Sequence, residues 1–241
     1  MAIYNIIGFG YKTKKIIDIL TEKCKYQEIS IKMALSSTDI SFENDKMTIL
    51  VVADDYVEAA IECAKQYYNR DILTLIFSTH DNPLFYDCAD SVAIMPNYDM
   101  IVTITDIMKS ILLPGINSFD FYDIYNTLHK SRHFIAINGF GNDIQTAYHD
   151  WAKKRFSGYA AIAENISILI FINKGRAISK EDLIPLSEYE SSVMPEAIVR
   201  IGIFHDNDIK EDEVRISIIG SGNSTLFKTT VRKFIHHLRS I

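Results

Sequence analysis

Apolar residues recur in two alternating rhythms along the first hundred positions. Short apolar, largely β-branched runs at Ile3–Ile7, Ile29–Leu35, Met47–Ala53, Ile72–Phe77 and Ser91–Met95 predict strands. Between them, Ile16, Ile17 and Leu20 lie at helical spacing within Thr13–Leu20. Val57, Ala60, Ile61, Ala64 and Tyr68 form a second amphipathic series, with acids at its start. Met47–Ala53 is apolar at almost every position, the mark of a strand buried on both faces. Strand–helix alternation of this kind predicts an α/β fold, a parallel sheet with helices on its faces.

The second half has a different order. Pro96 and Asn97 close the preceding strand, and Asp99–Leu113 predicts a helix ended by Pro114-Gly115. Phe121–Leu128 follows as a short helix with Asp120 or Ser118 at its N-cap. Phe134–Asn138 predicts a strand, and Asp143–Phe156 a helix with Ile144, Ala147, Trp151 and Ala152 on one face. Ile166–Ile172 is a strand, and Lys180–Tyr189 a helix capped by Ser179 whose second half Pro185 weakens. Val199–Phe204 and Val214–Ile219 read as two strands of a hairpin-like edge, and Gly220-Ser221-Gly222 as the end of the sheet. Thr225–Leu238 predicts a last helix, with Phe227, Val231, Phe234, Ile235 and Leu238 on one stripe.

Composition narrows the class. The chain has 241 residues, 48% hydrophobic and 23% charged, which fits a globular protein and excludes a disordered one. Its longest apolar runs, such as Ile168–Ile172, are far below the roughly 18 residues a membrane span needs. No basic stretch precedes the first apolar run, so no secretory signal is expected. Cys24, Cys63 and Cys88 lie far apart and are expected as free thiols in a reducing cytoplasm. The seven histidines have no metal-ligand spacing, so no metal is expected. The net charge is −6, but Thr225–Ile241 carries Lys228, Arg232, Lys233 and Arg239 and no acid. An acidic body argues against nucleic acid as the main partner. The basic end is matched to an acidic surface of this chain or a neighbour, and its stripe also suits a partner groove or a lipid surface.

The order of motifs resembles the FtsZ/tubulin-like cytoskeletal GTPases. Ile94-Met95-Pro96-Asn97 is similar to the start of that family's IPND. Ile104-Thr105-Asp106-Ile107-Met108 with Pro114-Gly115 is similar to its ISDLI and PG. Asp120-Phe121-Tyr122-Asp123-Ile124 resembles DFADV, the synergy loop. Phe134–Gly139 with Gly141 resembles its MGxG strand and turn, and Glu213–Gly222 its EVRVTVIATG. Ile6–Gly10 resembles its first loop, VIGVG, and Thr38-Asp39 its NTD. The resemblance implies a Rossmann-like nucleotide-binding-type domain over residues 1–112, a smaller α/β domain over 113–223 and an added basic helix over 224–241. It implies Gly8, Gly10 and Asn97 at a nucleotide, and Asp120 and Asp123 as the acids that polarise water against a neighbouring subunit's γ-phosphate.

The departures change the expected function. Where the family has GGGTGTG, this chain reads Ala53-Asp54-Asp55-Tyr56-Val57-Glu58, without a glycine. Glycine-rich helix starts hold phosphates through close backbone N–H groups. Carboxylates placed there satisfy the same donors and repel a triphosphate. At 4 Å and an effective dielectric of 20, one like-charge pair costs roughly 4 kcal/mol. The family's long central helix is mostly missing, Asn97 is followed by Tyr98 rather than aspartate, and Asn117 stands three residues before Asp120 where the family has two. The glycines of Gly8-Phe9-Gly10 do not continue into a GxGxxG dinucleotide fingerprint, because position 13 is Thr13. Lys12, Lys14 and Lys15 follow, cations suited to an anion.

The expectation is an FtsZ-like protein that has lost GTP binding, needs no cofactor and acts by association, with its own kind or with an FtsZ-like filament in cell-division-related assembly. The alternative is an active GTPase that polymerises with GTP and holds GTP or GDP. A Rossmann-type oxidoreductase is the weakest reading, since nothing after Gly10 supports it.

Overall fold

A computed structural model describes residues 3–37, 45–53, 56–156, 162–193, 196–224, 227 and 229. Thr38, Asp39, Asp54 and Asp55 lie outside them, as does the helix predicted over Thr225–Leu238 apart from Phe227 and Thr229. The chain forms two compact units. The first holds the described residues up to Thr105 together with Leu128–Phe134, and the second holds Asp106–Thr127 and the described residues from Ile135 to 229.

In the first unit five strands run parallel: β1 (Tyr4–Phe9), β2 (Ile29–Ala34), β3 (Met47–Val52), β4 (Leu73–Ser78) and β5 (Ser91–Ile94). Their order is β2-β1-β3-β4-β5, and Ser91 and Val92 pair with Arg132 and His133 at the start of β6 (Arg132–Gly141). Every residue of β1, β3, β4 and β5 is buried, in keeping with their mostly apolar runs, and the polar Asn5, Thr48, Thr74, Ser78 and Ser91 among them are buried as well. β2 alternates less strongly and lies at the edge, half-buried. The crossover helices are α1 (Lys14–Lys23), which buries Ile16, Ile17 and Leu20, and α2 (Val57–Tyr68). From β1 the chain moves one way to β2, and from β3 the other way to β4 and β5. The ends of β1 and β3 therefore flank the point where the winding reverses, which is where open α/β sheets bind ligands.

The helix α3 (Asn97–Leu112) begins at Asn97, and the unit boundary falls inside it. The second unit contains α4 (Phe121–Leu128), α5 (Ile144–Trp151), α6 (Lys180–Val193), β7 (Asn165–Ile172), β8 (Ile198–His205) and β9 (Val214–Gly222), in the strand order β6-β9-β7-β8. The expected pairing of the last two strands does not occur. β7 lies between them, parallel to β8 and antiparallel to β9. The reason is apolarity: seven of the eight residues of β7 are buried, so it takes the centre, whereas β8 carries exposed Ile198 and half-exposed Arg200 and takes the edge. Gly220-Ser221-Gly222 belongs to β9 rather than ending it early. α6 runs past Pro185 to Val193. Its start is capped reciprocally by Ser179 and Asp182, 3.2 Å and 2.8 Å. The helix predicted over Asp143–Phe156 divides into α5, capped by Asp143 with Thr146, and a π-helical turn at Ala152–Phe156.

Gly8 is dictated by packing. A Cβ there would meet Ile17 and lie 2.8 Å from Thr13 Oγ1, so α1 sits on β1 only because the side chain is missing. We expect Gly8→Ala to lower unfolding free energy by about 1–3 kcal/mol through overpacking, read as a fall in urea midpoint with an unchanged slope.

Candidate functional site

The ends of β1 and β3 are tied together. The Ala53 N–H donates to Phe9 O at 3.1 Å. Gly10 follows β1 at φ 91°, a conformation favouring glycine, and turns the chain into a 3-10 turn at Tyr11–Thr13. Thr13 closes that turn on Gly10 O with both its N–H, 3.0 Å, and its hydroxyl, 2.7 Å. Tyr11, from the loop after β1, meets Tyr56, from the loop after β3, edge to face at 6.1 Å. After β4, the His80 N–H donates to Ser78 Oγ and the ring Nδ1 pairs with Thr79 Oγ1 at 2.8 Å.

These segments surround a cavity of about 160 Å³. Its floor is apolar, with Ile16, Val52 and Met100, and its rim polar, with Lys12, His80 and Asn97. Lys12 is exposed and makes no ion pair among the described residues. The structure thus brings the turn after Gly10 and Asn97 to one place. Gly8 stands apart, turned to α1. α2 begins after Tyr56, whose side chain makes no cap bond, and Glu58 lies in its first turn.

Asp120 and Asp123 belong to the second unit and are both engaged in the start of α4. Asp120 Oδ1 accepts the Tyr122 N–H at 2.7 Å, and Asp123 Oδ2 accepts the Asp120 N–H at 2.9 Å. Arg200 Nε lies 3.8 Å from Asp123 Oδ1. Asn117 is clamped to the edge of β8: its amide donates to Ile201 O and accepts the Ile203 N–H at 3.1 Å. Ile116 and Tyr122 are exposed on this segment, at 50% and 64%.

Sequence reading missed a buried ionic network in the second unit. Lys109 Nζ lies 2.7 Å from Asp206 and 2.6 Å from Asp208, with Lys109 and Asp206 almost fully buried. Arg215 reaches Asp106 at 2.7 Å and Asp206 at 3.4 Å, and its guanidinium stacks over Phe171 at 4.9 Å. Burial pushes the Asp106 carboxyl up to about 6 against the opposing charge of Arg215 and Lys109. Burial works against the charge on Lys109, but its bonds to Asp206 and Asp208 raise its pKa above the usual value. The signal was present: Asp106 and Lys109 are three apart on an apolar helix, and Arg215 interrupts a β-branched strand. Buried charges at such positions need partners.

A second, polar cavity of about 250 Å³ lies in the first unit at the N-terminal ends of the strands, lined by Asp71, Asp90, His129 and Lys130 among others. Asp90 is held there by the Thr74 N–H at 2.8 Å, the Lys130 N–H at 3.2 Å and His129 Nδ1 at 2.8 Å. The three cysteines are buried and free, and burial pushes the Cys63 and Cys88 thiols up to about 12, which leaves them unreactive. Among the described residues no group of His, Cys, Asp and Glu is suited to a metal, and no helix is long and apolar enough to cross a membrane.

No protein-family model and no curated protein matches the chain. Solved structures do. An FtsZ dimer from M. jannaschii superposes with a TM-score of 0.74 at 12% identity, over 92% of this chain and 88% of that one. TubZ from Bacillus thuringiensis serovar israelensis, solved as GDP-form protofilaments, gives 0.63 at 8% identity over 99% and 89%. CetZ2 from Haloferax volcanii, solved as a GTPγS-bound protofilament, gives 0.63 at 12% over 99% and 100%. The fold is FtsZ/tubulin-like, a mixed α/β architecture.

The ionic network makes stability depend on pH. The folded-state pKa of Asp106 lies above its ordinary 3.8, so the folded chain holds this proton more tightly. Compared with Asp106→Asn, wild type is therefore expected to lose stability as pH rises from about 4 through about 6, the interval set by the two pKa values. Urea melts of both proteins across that range check the sign.

Proposed function

We propose that this chain is an FtsZ-fold protein without appreciable GTP binding, acting by association with copies of itself or with an FtsZ-like filament. The cavity at the winding reversal carries this reading. It measures about 160 Å³. Pockets that hold small-molecule ligands run to roughly 300–1,000 Å³. The sequence around it supports the same reading, because no glycine occurs between Ala53 and Glu58 to let the backbone approach phosphates. The Tyr11–Tyr56 contact fills space between the two loops where a triphosphate would need room. The residues present do not fit a nucleoside triphosphate, and none of them is assigned a hydrolytic step. On this reading Asp120 and Asp123 serve as caps and surface charges. The protofilaments solved for TubZ and CetZ2 support association as a use of this fold.

A second reading, a GTP-dependent polymer, draws support from Lys12, Thr13 and Asn97 standing around one cavity at the expected strand ends. Light scattering and phosphate release, with and without magnesium GTP, separate the two. The expected outcome is assembly unchanged by nucleotide and phosphate release at background. Assembly that requires GTP, accompanied by turnover, would establish the second reading instead.

A further inference from the structure

We propose that the polar cavity at the N-terminal ends of the first unit's strands binds a primary ammonium, the head of a short aliphatic amine. The site is separate from the crevice at the winding reversal and does not rest on the association reading.

Three segments converge on Asp90 to build it. Asp90 is 2% exposed. Its Oδ2 accepts the Thr74 N–H near the start of β4 at 2.8 Å, and its Oδ1 accepts the Lys130 N–H at 3.2 Å. Its carbonyl accepts the Arg132 N–H at the start of β6, 2.8 Å. His129 Nδ1 lies 2.8 Å from the same Oδ1. A carboxylate accepts at that point, so Nδ1 carries the hydrogen, and in the neutral ring Nε2 is the acceptor. The non-glycine residues with positive φ among the described residues all stand in this corner: Asp71 at 56°, Lys130 at 52° and Arg132 at 61°. Left-handed backbone is unfavourable for residues with side chains. Strain of this kind gathers where ligands or switches are held, and here two of the three residues line the cavity.

Charge sets the sign of the ligand. Asp71 and Asp90 bring two carboxylates to the lining and Lys130 one ammonium, so with His129 neutral the balance is negative. α2 ends at Tyr68 and α4 at Leu128, one residue before His129, and each brings the negative end of a helix dipole to the lining residues. An ammonium offers three donors and needs no donor in return. The Asp71 carboxylate, the Asn69 amide oxygen and His129 Nε2 are acceptors for it. An anion would meet two carboxylates instead. The opposing cation, Lys130, is exposed on a flexible stem and makes no ion pair among the described residues.

Size limits the rest of the molecule. The cavity measures about 250 Å³. One of about 150 Å³ accepts benzene, so about ten heavy atoms fit here. Larger ligands need roughly 300–1,000 Å³. The half-buried Tyr68 ring gives the aliphatic stem a surface to lie on.

Nuclear magnetic resonance of the isotope-labelled full chain tests this with three probes of one shape, butylammonium, butan-1-ol and butyrate, at constant ionic strength. Butylammonium is expected to shift the His129 ring signals and saturate at a roughly millimolar Kd, while the alcohol and the acid leave them in place. Asp71→Asn should raise that Kd about tenfold, the loss of one charge-assisted hydrogen bond. Lys130→Gln, which removes the competing cation, should lower it about threefold. Circular dichroism melts check that both variants are folded, and both residues are exposed, so neither is needed for the core. Equal saturation by all three probes would show an unselective hole and overturn the proposal. So would binding of butyrate that Lys130→Gln weakens, which marks an anion site, or shifts that stay linear to about 100 mM butylammonium, which mark no site at all.

Discussion

The decisive constraint is how closely the ends of β1 and β3 are held. The Ala53 N–H on Phe9 O joins them, and Gly10 in its left-handed conformation folds the following turn back so that Thr13 bonds to Gly10 O. Two tyrosines close over the adjacent loops. In a doubly wound sheet this crevice is where ligands enter, between parallel strands whose following connections leave in opposite directions. In this chain the cavity at that crevice measures about 160 Å³. This limited space is what the proposed reading of the chain as an associating protein rests on.

The second unit is organised around charge rather than space. Asp106 and Lys109 on α3, Arg215 on β9, and Asp206 and Asp208 after β8 form one continuous network. Three of its members are nearly excluded from water, so each depends on the others. Removing one partner leaves an uncompensated buried charge, typically at a cost of about 3–5 kcal/mol. Two motifs that resemble family signatures at sequence level, around Asp106 and around Arg215, thus meet in a structural ion pair of 2.7 Å.

Much of the fold was legible. Buried parallel strands announce themselves as mostly apolar runs, as β1, β3 and β4 do, and the first helix between them follows the helical period of Ile16, Ile17 and Leu20. The order β9-β7-β8 was not legible, because a strand's place in a sheet is fixed by competition among strands for burial and not by its own pattern. Of the candidate site, the turn after Gly10 and Asn97 do share a cavity, whereas Gly8 serves packing, a distinction that only the distance to Ile17 and Thr13 reveals. Asp120 was legible as a cap, and the reciprocal bond from Asp123 follows from the spacing of three. The partners of Lys109 lie 97 and 99 residues away, beyond any local pattern.

Calorimetric titration of the full chain with magnesium GTP tests most directly whether the crevice still accommodates a nucleotide. The expected result is no saturable heat up to about millimolar nucleotide, a binding free energy weaker than about −4 kcal/mol. Saturable binding at micromolar concentration would contradict the loss of the nucleotide site.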